Sequence, residues 1–553
     1  MTQRGIDPEA LEAILSSLRQ FASRSLPLNW RLKVDHAEEF PREIIGQLMG
    51  PEIGLHLIYI PEENGGLGGG AFDIYRVSET MAGIDLGLAT AFLAVSLGLD
   101  PIVVGGTPEQ KSHWMGRVAA EALLVAYGVT EPTAGSDLGA LKSRAVRFEK
   151  EGKTWYRING SKQFITNGGV ADLYTILAAT DAGPTFFIVE KGTPGLSASK
   201  PEDKHGIRMS NTCALTLEDV EVPAENVVGL AEGKGLAQAQ QVFGYTRLMV
   251  AAFGLGGGEA ALAKAVAYAR ERSQGGSLLA EKQAFTHKLL VPHAIRLAAA
   301  RAYIEHVAVR LDAGEEDLQT EGAIAKLSAT EAGNAAADAA IQAHGGYGYT
   351  REYEVEKIKR DVRITTIYEG TSEIMQWTIA RDRWRVHLQT QGGFYQKMAE
   401  ELSALHARAP QVGAGTAALA VRSLREILEK ARANRLTRHQ HVLFRLGELA
   451  MLAETAAGLA RAAASPGRGP RPATEVHRAM ARVYARECAA SVAHEGLTWL
   501  RGCDLPDDVG ALERALLTRE IHEAQAGLMA DLDLIAKATC AVEGKSETVR
   551  LAG

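Results

Sequence analysis

The chain has 553 residues, 46 % of them hydrophobic and 23 % charged, with a formal net charge of −7. That length exceeds one ordinary core, the composition is that of a soluble globular protein, and the acidic balance argues against a nucleic-acid binder. The four scattered cysteines form no CxxC pair, so neither a zinc site nor a disulfide framework is expected. The N-terminus has early acids and a proline and no apolar h-region, and no run of about 18 apolar residues is seen. These features predict a cytoplasmic protein with no targeting segment and no transmembrane helix.

Residues 1–123 read as a helical domain. "DPEALEAILSSLRQFA" places apolar residues at helical spacing after an aspartate that can cap, and "VSETMAGIDLGLATAFLAVSLGLD" is a second helical region broken near Gly83 and Asp85. Between them, "NGGLGGGAFD" contains a literal GxGxxA, but Pro61 and two acids intervene and no βαβ unit follows, so a dinucleotide fingerprint is rejected. Residues 124–234 show short alternating runs separated by Gly, Asn, Asp and Pro, which predicts a small, mostly antiparallel β domain. Helical periodicity returns in 235–390 as long alanine-rich segments suited to a bundle. Residues 391–553 are a further helical extension, interrupted by "SPGRGPRP" at 465–472, which reads as a mobile linker. The fold class is therefore α+β, mostly α.

Several stretches admit two readings. "AYGVTEPTAGSDLGALK" leaves a strand at Val129 for a loop whose N–H groups and hydroxyls suit a ring edge or a phosphate, or a plain polar connection. Phe164 and Thr166 lie two apart on a predicted strand; they suit a flavin face and edge, or a hairpin packing pair. His344 reads as a packed histidine. In "TTIYEGTSEI", Thr371 and Ser372 can start a helix with Glu373 in its first turn, where an acid is expected. Glu369 has no such role: it is either a solvated loop acid or a base aimed at a substrate.

The ordered set "AYGVTEPTAGSD", "FITNGG", "RSQGGSLLAEKQ", "QAHGGYGYTREYEVEKIKRD" and "IYEGTSEI" resembles the acyl-CoA dehydrogenase family, over about residues 30–385. The tail and "HGIRMSNTCALTLEDVEVPAENVVG" are similar to the very-long-chain branch and its relative that assists respiratory complex I. The resemblance implies an N-terminal helical domain, a middle β domain and a four-helix bundle, with FAD held non-covalently between subunits. The extension would pack as a fourth domain, and a homodimer is expected.

The resemblance also implies the chemistry. Glu369 would remove the Cα proton of an acyl-CoA while hydride passes from Cβ to flavin N5, giving a trans-2-enoyl-CoA. Desolvation by Ile364, Ile367 and Tyr368 would suit Glu369 to that task, and its backbone N–H would help hold the thioester oxygen. Tyr127, Val129, Thr130, Gly135 and Ser136 would line the flavin, with Ser136 also near the substrate, and Phe164 and Thr166 at its other side. Arg272, Gln274, Gln342, Gly345 and Gly346 would hold the pyrophosphate and adenosine from the second subunit, and Thr371 and Glu373 would contact the cofactor. Phe243 and Arg247 match positions near CoA, while Tyr368 and Gly370 adjoin the thioester. The sequence departs from the family at Gly275, where an aromatic is usual, at Phe164, where many members have Trp, and at Gly244, where some have a polar CoA contact. No metal is implied.

Electrons are expected to pass to electron-transfer flavoprotein; the alternatives are an acyl-CoA oxidase and a respiratory-complex assembly scaffold with little activity. Leu93, Ala94 and Leu97 are expected to line the acyl tunnel, and the tail leans toward long chains. The 465–472 segment holds Arg468 and Arg471 and no bulky apolar wedge, so at most weak membrane association is expected.

Overall fold

The computed structural model describes residues 5–315, 317–465, 467–505 and 507–541, the side chains of 243–245 excepted. Its contacts define two compact units, Met1–Met249 with Ala308–Glu316, and Val250–Val307 with Asp317–Gly553.

The first unit opens with helices α1 (Pro8–Ser25), α2 (Leu28–Ala37), α3 (Arg42–Met49), α4 (Ala71–Ile84), α5 (Leu86–Gly105), α6 (Pro108–Gln110) and α7 (Gly116–Glu121). Asp7 caps α1, accepting from the Glu9 N–H at 2.9 Å, with Pro8 at the first position and Leu11, Leu15 and Leu18 buried on one face. Asp85 breaks the second helical region as expected, ending α4 and capping α5 through the Leu88 N–H at 3.1 Å. The glycine-rich run lies between α3 and α4 and pairs its backbone with the preceding chain: the Gly69 N–H donates to the Ile58 carbonyl at 3.0 Å. Two buried N–H groups at the start of α4, of Ala71 and Phe72, donate to the Asp312 carboxylate at 2.6 and 3.0 Å.

Seven strands follow: β1 (Val125–Gly128), β2 (Arg144–Lys150), β3 (Lys153–Thr166), β4 (Leu173–Thr180), β5 (Gly183–Glu190), β6 (Leu196–Ala198) and β7 (Thr212–Pro223). They form one sheet in the order β1-β4-β2-β3-β7-β6, with β5 also on β4. β2, β3, β5, β6 and β7 pair antiparallel as expected, but β4 runs parallel to β1 and, at Arg144–Ala179, to β2. The alternation that suggested antiparallel hairpins does not report pairing direction, which the connections decide. Tyr156, Ile158, Ile176, Phe187, Val189 and Leu215 belong to the sheet's buried core.

Next come α8 (Gly235–Glu271), the two-stranded hairpin β8 (Ser273–Gln274) and β9 (Ser277–Leu278), and helices α9 (Gln283–Leu289), α10 (Val291–Asp312), α11 (Gln319–His344), α12 (Glu354–Val362) and α13 (Ser372–Gln389). The extension holds α14 (Gly393–Arg408), α15 (Ala414–Ala433), α16 (Gln440–Ala464), α17 (Thr474–Gly502), α18 (Val509–Ala515), α19 (Thr518–Glu523) and α20 (Leu528–Thr539). In the second unit a buried carboxylate helps to join the extension to the bundle. Glu454 of α16 accepts from Arg383 of α13 at 2.7 and 2.8 Å, Tyr303 of α10 at 3.1 Å and Tyr395 of α14 at 3.0 Å. The 465–472 segment, expected to be a mobile linker, is tied down at Arg471, which donates to the Ala462 carbonyl at 3.1 Å and to Glu305 at 2.8 Å.

Against the expectation of no sufficiently apolar run, α5 and α8 are long and apolar enough to cross a membrane. In each, 83 % of the apolar window is buried inside the protein, as in core helices. Isolated Thr, Ser and Asp residues interrupt the apolar run of α5 without removing its apolar character.

Candidate active site

In the first unit, the site residues gather at the end of β1. The loop after Val129 closes on itself by a bridge: the Glu131 and Ala134 N–H groups each donate to the other's carbonyl at 3.1 Å. Its root is a buried ion pair, Lys162 Nζ to Glu131 Oε1 at 2.7 Å, with both side chains at most 3 % exposed. Lys162 Nζ also donates to the carbonyls of Leu177 at 2.5 Å and Val129 at 3.3 Å. The Glu131 carboxylate further accepts from the backbone N–H groups of Lys142 and Ser143, at 2.7 and 3.1 Å. Burial pushes Lys162 down to about 8 against the raising effect of Glu131. Burial raises the Glu131 carboxyl, but its hydrogen bonds with Lys162, Ser143 and Lys142 outweigh that and leave it lowered.

With its root fixed, the loop presents Gly135 and Ser136 to solvent. Thr130 is half-buried and its carbonyl accepts from the Gln163 N–H at 2.9 Å, bringing β3 alongside. Tyr127 is half-buried and stacks on Phe186, centroids 5.8 Å apart. Val129 is 2 % exposed, and its carbonyl accepts from Lys162. On β3, the pairing with β7 slips between Lys162 and Ile165, and Phe164 sits there at φ 58°. The slip breaks the simple alternation expected of Phe164 and Thr166: Phe164 is 64 % exposed, Thr166 half-buried. Thr166 lies directly opposite Thr212, whose buried hydroxyl has no partner among the described residues. Arg247 is half-buried in α8; Phe243 and Gly244 lie in the same helix, their side-chain surroundings outside the described residues.

In the second unit, Arg272 and Gln274 are exposed at the β8–β9 hairpin. Its two central residues, Gly275 and Gly276, have φ 58° and 82°, as a type I′ turn requires. Tyr268, one turn before Arg272, stacks on His344 with centroids 4.5 Å apart. That contact brings the hairpin end of α8 to the end of α11, where Gln342, Gly345 and Gly346 are exposed. His344 is the packed histidine expected, with Nδ1 2.8 Å from the Ala340 carbonyl.

The stretch 368–373 is continuous with α13. Tyr368, Glu369 and Gly370 are half-buried, though Ile367 is 47 % exposed and shields less than expected. Glu369 and Gly370 both have positive φ, 54° and 92°. The φ of Gly370 is one that L side chains rarely adopt, which favours glycine; a Cβ there would also displace the flexible end of Met375, 2.5 Å away at Cε. The Thr371 hydroxyl caps α13 through the Ile374 N–H at 3.3 Å. Glu373 lies in the first turn, its carboxyl lowered by its own backbone N–H and the Thr371 hydroxyl. Three buried residues of this architecture have no sequence signal of their own: Lys162, Glu454 and Lys326, the last donating to the Gly370 carbonyl at 2.6 Å.

Family models for the acyl-CoA dehydrogenase N-terminal, middle and C-terminal domains match residues 8–122, 126–220 and 233–383. The chain belongs to the acyl-CoA dehydrogenase family. It is therefore an oxidoreductase of a family whose cofactor is FAD. An acryloyl-CoA reductase (NADH) of Anaerotignum propionicum is 39 % identical over 67 % of this chain and 93 % of that protein. The solved butyryl-CoA dehydrogenase of Megasphaera elsdenii is 36 % identical, covering 68 % of this chain and 97 % of its own, with TM-score 0.63. An acyl-CoA dehydrogenase from Bacillus anthracis, solved with FAD, matches 97 % of this chain and 96 % of its own with TM-score 0.81. At 24 % identity that likeness speaks for the fold alone, the helical extension included. The residues present suit the family cofactor. The exposed Phe164 ring can cover a ring face. Thr212 beside Thr166 offers an unmet hydroxyl to a polar edge, and bare Gly345 and Gly346 admit a diphosphate close to the backbone.

Proposed function

We propose that this acyl-CoA dehydrogenase converts an acyl-CoA to its trans-2-enoyl-CoA, with Glu369 as the base. The observation that carries the assignment is the placement of Glu369: a left-handed residue, followed by a glycine that is also at positive φ, at the capped start of α13. Such a backbone costs free energy, on the order of 1–3 kcal/mol for a non-glycine residue, and persists where the surrounding structure holds it. Bound FAD would supply the two-electron acceptor that takes hydride from Cβ as the Cα proton leaves.

The chain's own residues do the rest. Glu369 accepts the Cα proton, and its N–H is available to the thioester oxygen as charge gathers there. Gly370 leaves room for the thioester. Tyr127, Thr130, Ser136, Phe164 and Thr166, with the main chain of Val129 and Gly135, hold the flavin. Arg272, Gln274, Gln342, Gly345 and Gly346 hold its diphosphate and adenosine, with Thr371 and Glu373 near the base. Arg247 and Phe243 serve CoA.

Electrons pass onward to electron-transfer flavoprotein, in fatty-acid β-oxidation in the cytoplasm, the enzyme being a homodimer with no more than weak membrane association. The aliphatic Leu93, Ala94 and Leu97 of α5 and the helical extension favour a long acyl chain. The relatives named for butyryl- and acryloyl-CoA favour a short one as the second reading. Anaerobic addition of palmitoyl-CoA and of butyryl-CoA to the purified holoenzyme decides between them: the acyl group that bleaches the flavin band faster is the substrate class. Bleaching by neither points to a branched or aromatic acyl group, and bleaching by no acyl-CoA rejects the dehydrogenase reading.

A further inference from the structure

The 362–372 segment carries a left-handed turn at Glu369 and Gly370. Before the turn, the Ile367 and Tyr368 N–H groups donate to the Ile364 carbonyl at 2.8 and 3.2 Å. After it comes the Thr371 cap. Side chains of α11 bond to both ends of the segment. Asn334 Nδ2 donates to the Val362 carbonyl at 3.0 Å and lies 3.3 Å from the Thr365 hydroxyl. Glu331 accepts from the Ser372 hydroxyl at 2.5 Å. Lys326 Nζ, fully buried, donates to the Gly370 carbonyl at 2.6 Å. Residues 326, 331 and 334 all lie on α11, so a single rigid element grips the base-bearing turn on both sides.

We infer that Lys326 is a positioning residue for the base: its buried ammonium fixes the Gly370 peptide and so sets where the neighbouring Glu369 carboxylate and N–H point. A buried ammonium is costly and persists only where it is well bonded. A charge-assisted bond to a carbonyl is also the strongest single tie available to a backbone with no ladder of its own. Lys326 acts through the Gly370–Thr371 peptide, one residue beyond the base. Because a shift of about 1 Å in a reacting group can cost on the order of 100-fold in rate, loosening this tie should appear in turnover rather than in binding.

The inference rests on Glu369 being the base, and the test separates the two. Holoenzyme is prepared as wild type, Lys326→Met, Lys326→Arg and Asn334→Leu, with flavin content, kcat and KM measured on the better acyl-CoA. The expected result is that Lys326→Met keeps its flavin and KM within a few-fold while kcat falls about 10–100-fold. Lys326→Arg, which keeps a cationic donor, should recover part of kcat. Asn334→Leu, gripping the other end, should lower kcat in the same way, and it carries the test if Lys326→Met does not fold. Unchanged kcat in Lys326→Met, or in Asn334→Leu where that variant stands alone, overturns the inference, as does a loss confined to KM or flavin content. Failure of the wild type to turn over any acyl-CoA overturns the assignment of the base instead.

Discussion

Glu369 stood out because its neighbours explain themselves and it does not; its role as base came from the family resemblance. Thr371 caps, Glu373 complements a helix start, and Gly370 announces a left-handed turn; an acid before that glycine is left needing a reason. Lys162 and Lys326 were illegible for the opposite reason. Each stands in a stretch where a lysine reads as a solvated side chain, and only tertiary packing reveals it as fully buried. Lys162 supports a prediction at this scale. Replacing it by Met leaves the Glu131 carboxylate buried without its cation, at a cost of about 3–5 kcal/mol. A denaturant titration of Lys162→Met should show that loss together with weaker flavin retention, because the loop carrying Gly135 and Ser136 is rooted there. A midpoint within error of wild type would remove Glu131–Lys162 as the root of that loop.

The elements were legible where a cap or a period marks them. Asp7 and Asp85 start α1 and α5 as their positions before apolar runs suggest. The sheet's parallel pairs and the slip at Phe164 were not, since neither leaves a mark on alternation. The β8–β9 hairpin accounts for a departure from the family. Gly275 stands where an aromatic is usual, and here it occupies a turn position at φ 58° that a bulky residue fills at a cost. Restoring the family residue as Gly275→Phe should therefore lower thermal stability, by about 1–2 kcal/mol, rather than raise it. A gain in Tm would show that the aromatic packing surface outweighs the turn.

At the scale of the whole molecule, the helical, β, helical order was legible from the changes of period at about residues 124 and 235. The manner in which the extension is fastened was not, because Glu454 and its three partners are far apart in sequence. The second unit carries an acid sensitivity. Burial, aided by Arg296, pushes His293 down to about 4, and burial with Arg471 does the same for His477. Both are neutral in the folded protein, while the unfolded chain takes up protons near the ordinary value of 6.5. Their contribution is therefore complete above pH 6.5 and is lost as pH falls from 6.5 toward 4, on the order of 2–3 kcal/mol for each histidine. Unfolding midpoints across that range should fall, and His477→Gln should flatten the fall; an equal slope in the variant would exclude His477 as a source.

The central claim is that Glu369 takes the proton whose loss allows flavin reduction. The most direct measurement is anaerobic stopped-flow of wild type and Glu369→Gln holoenzymes with the better acyl-CoA, following the flavin band. The account predicts that the variant retains FAD and binds the thioester but reduces its flavin at least about 100-fold more slowly, the lower end of what a general base contributes. Flavin reduction in Glu369→Gln at the wild-type rate would contradict it.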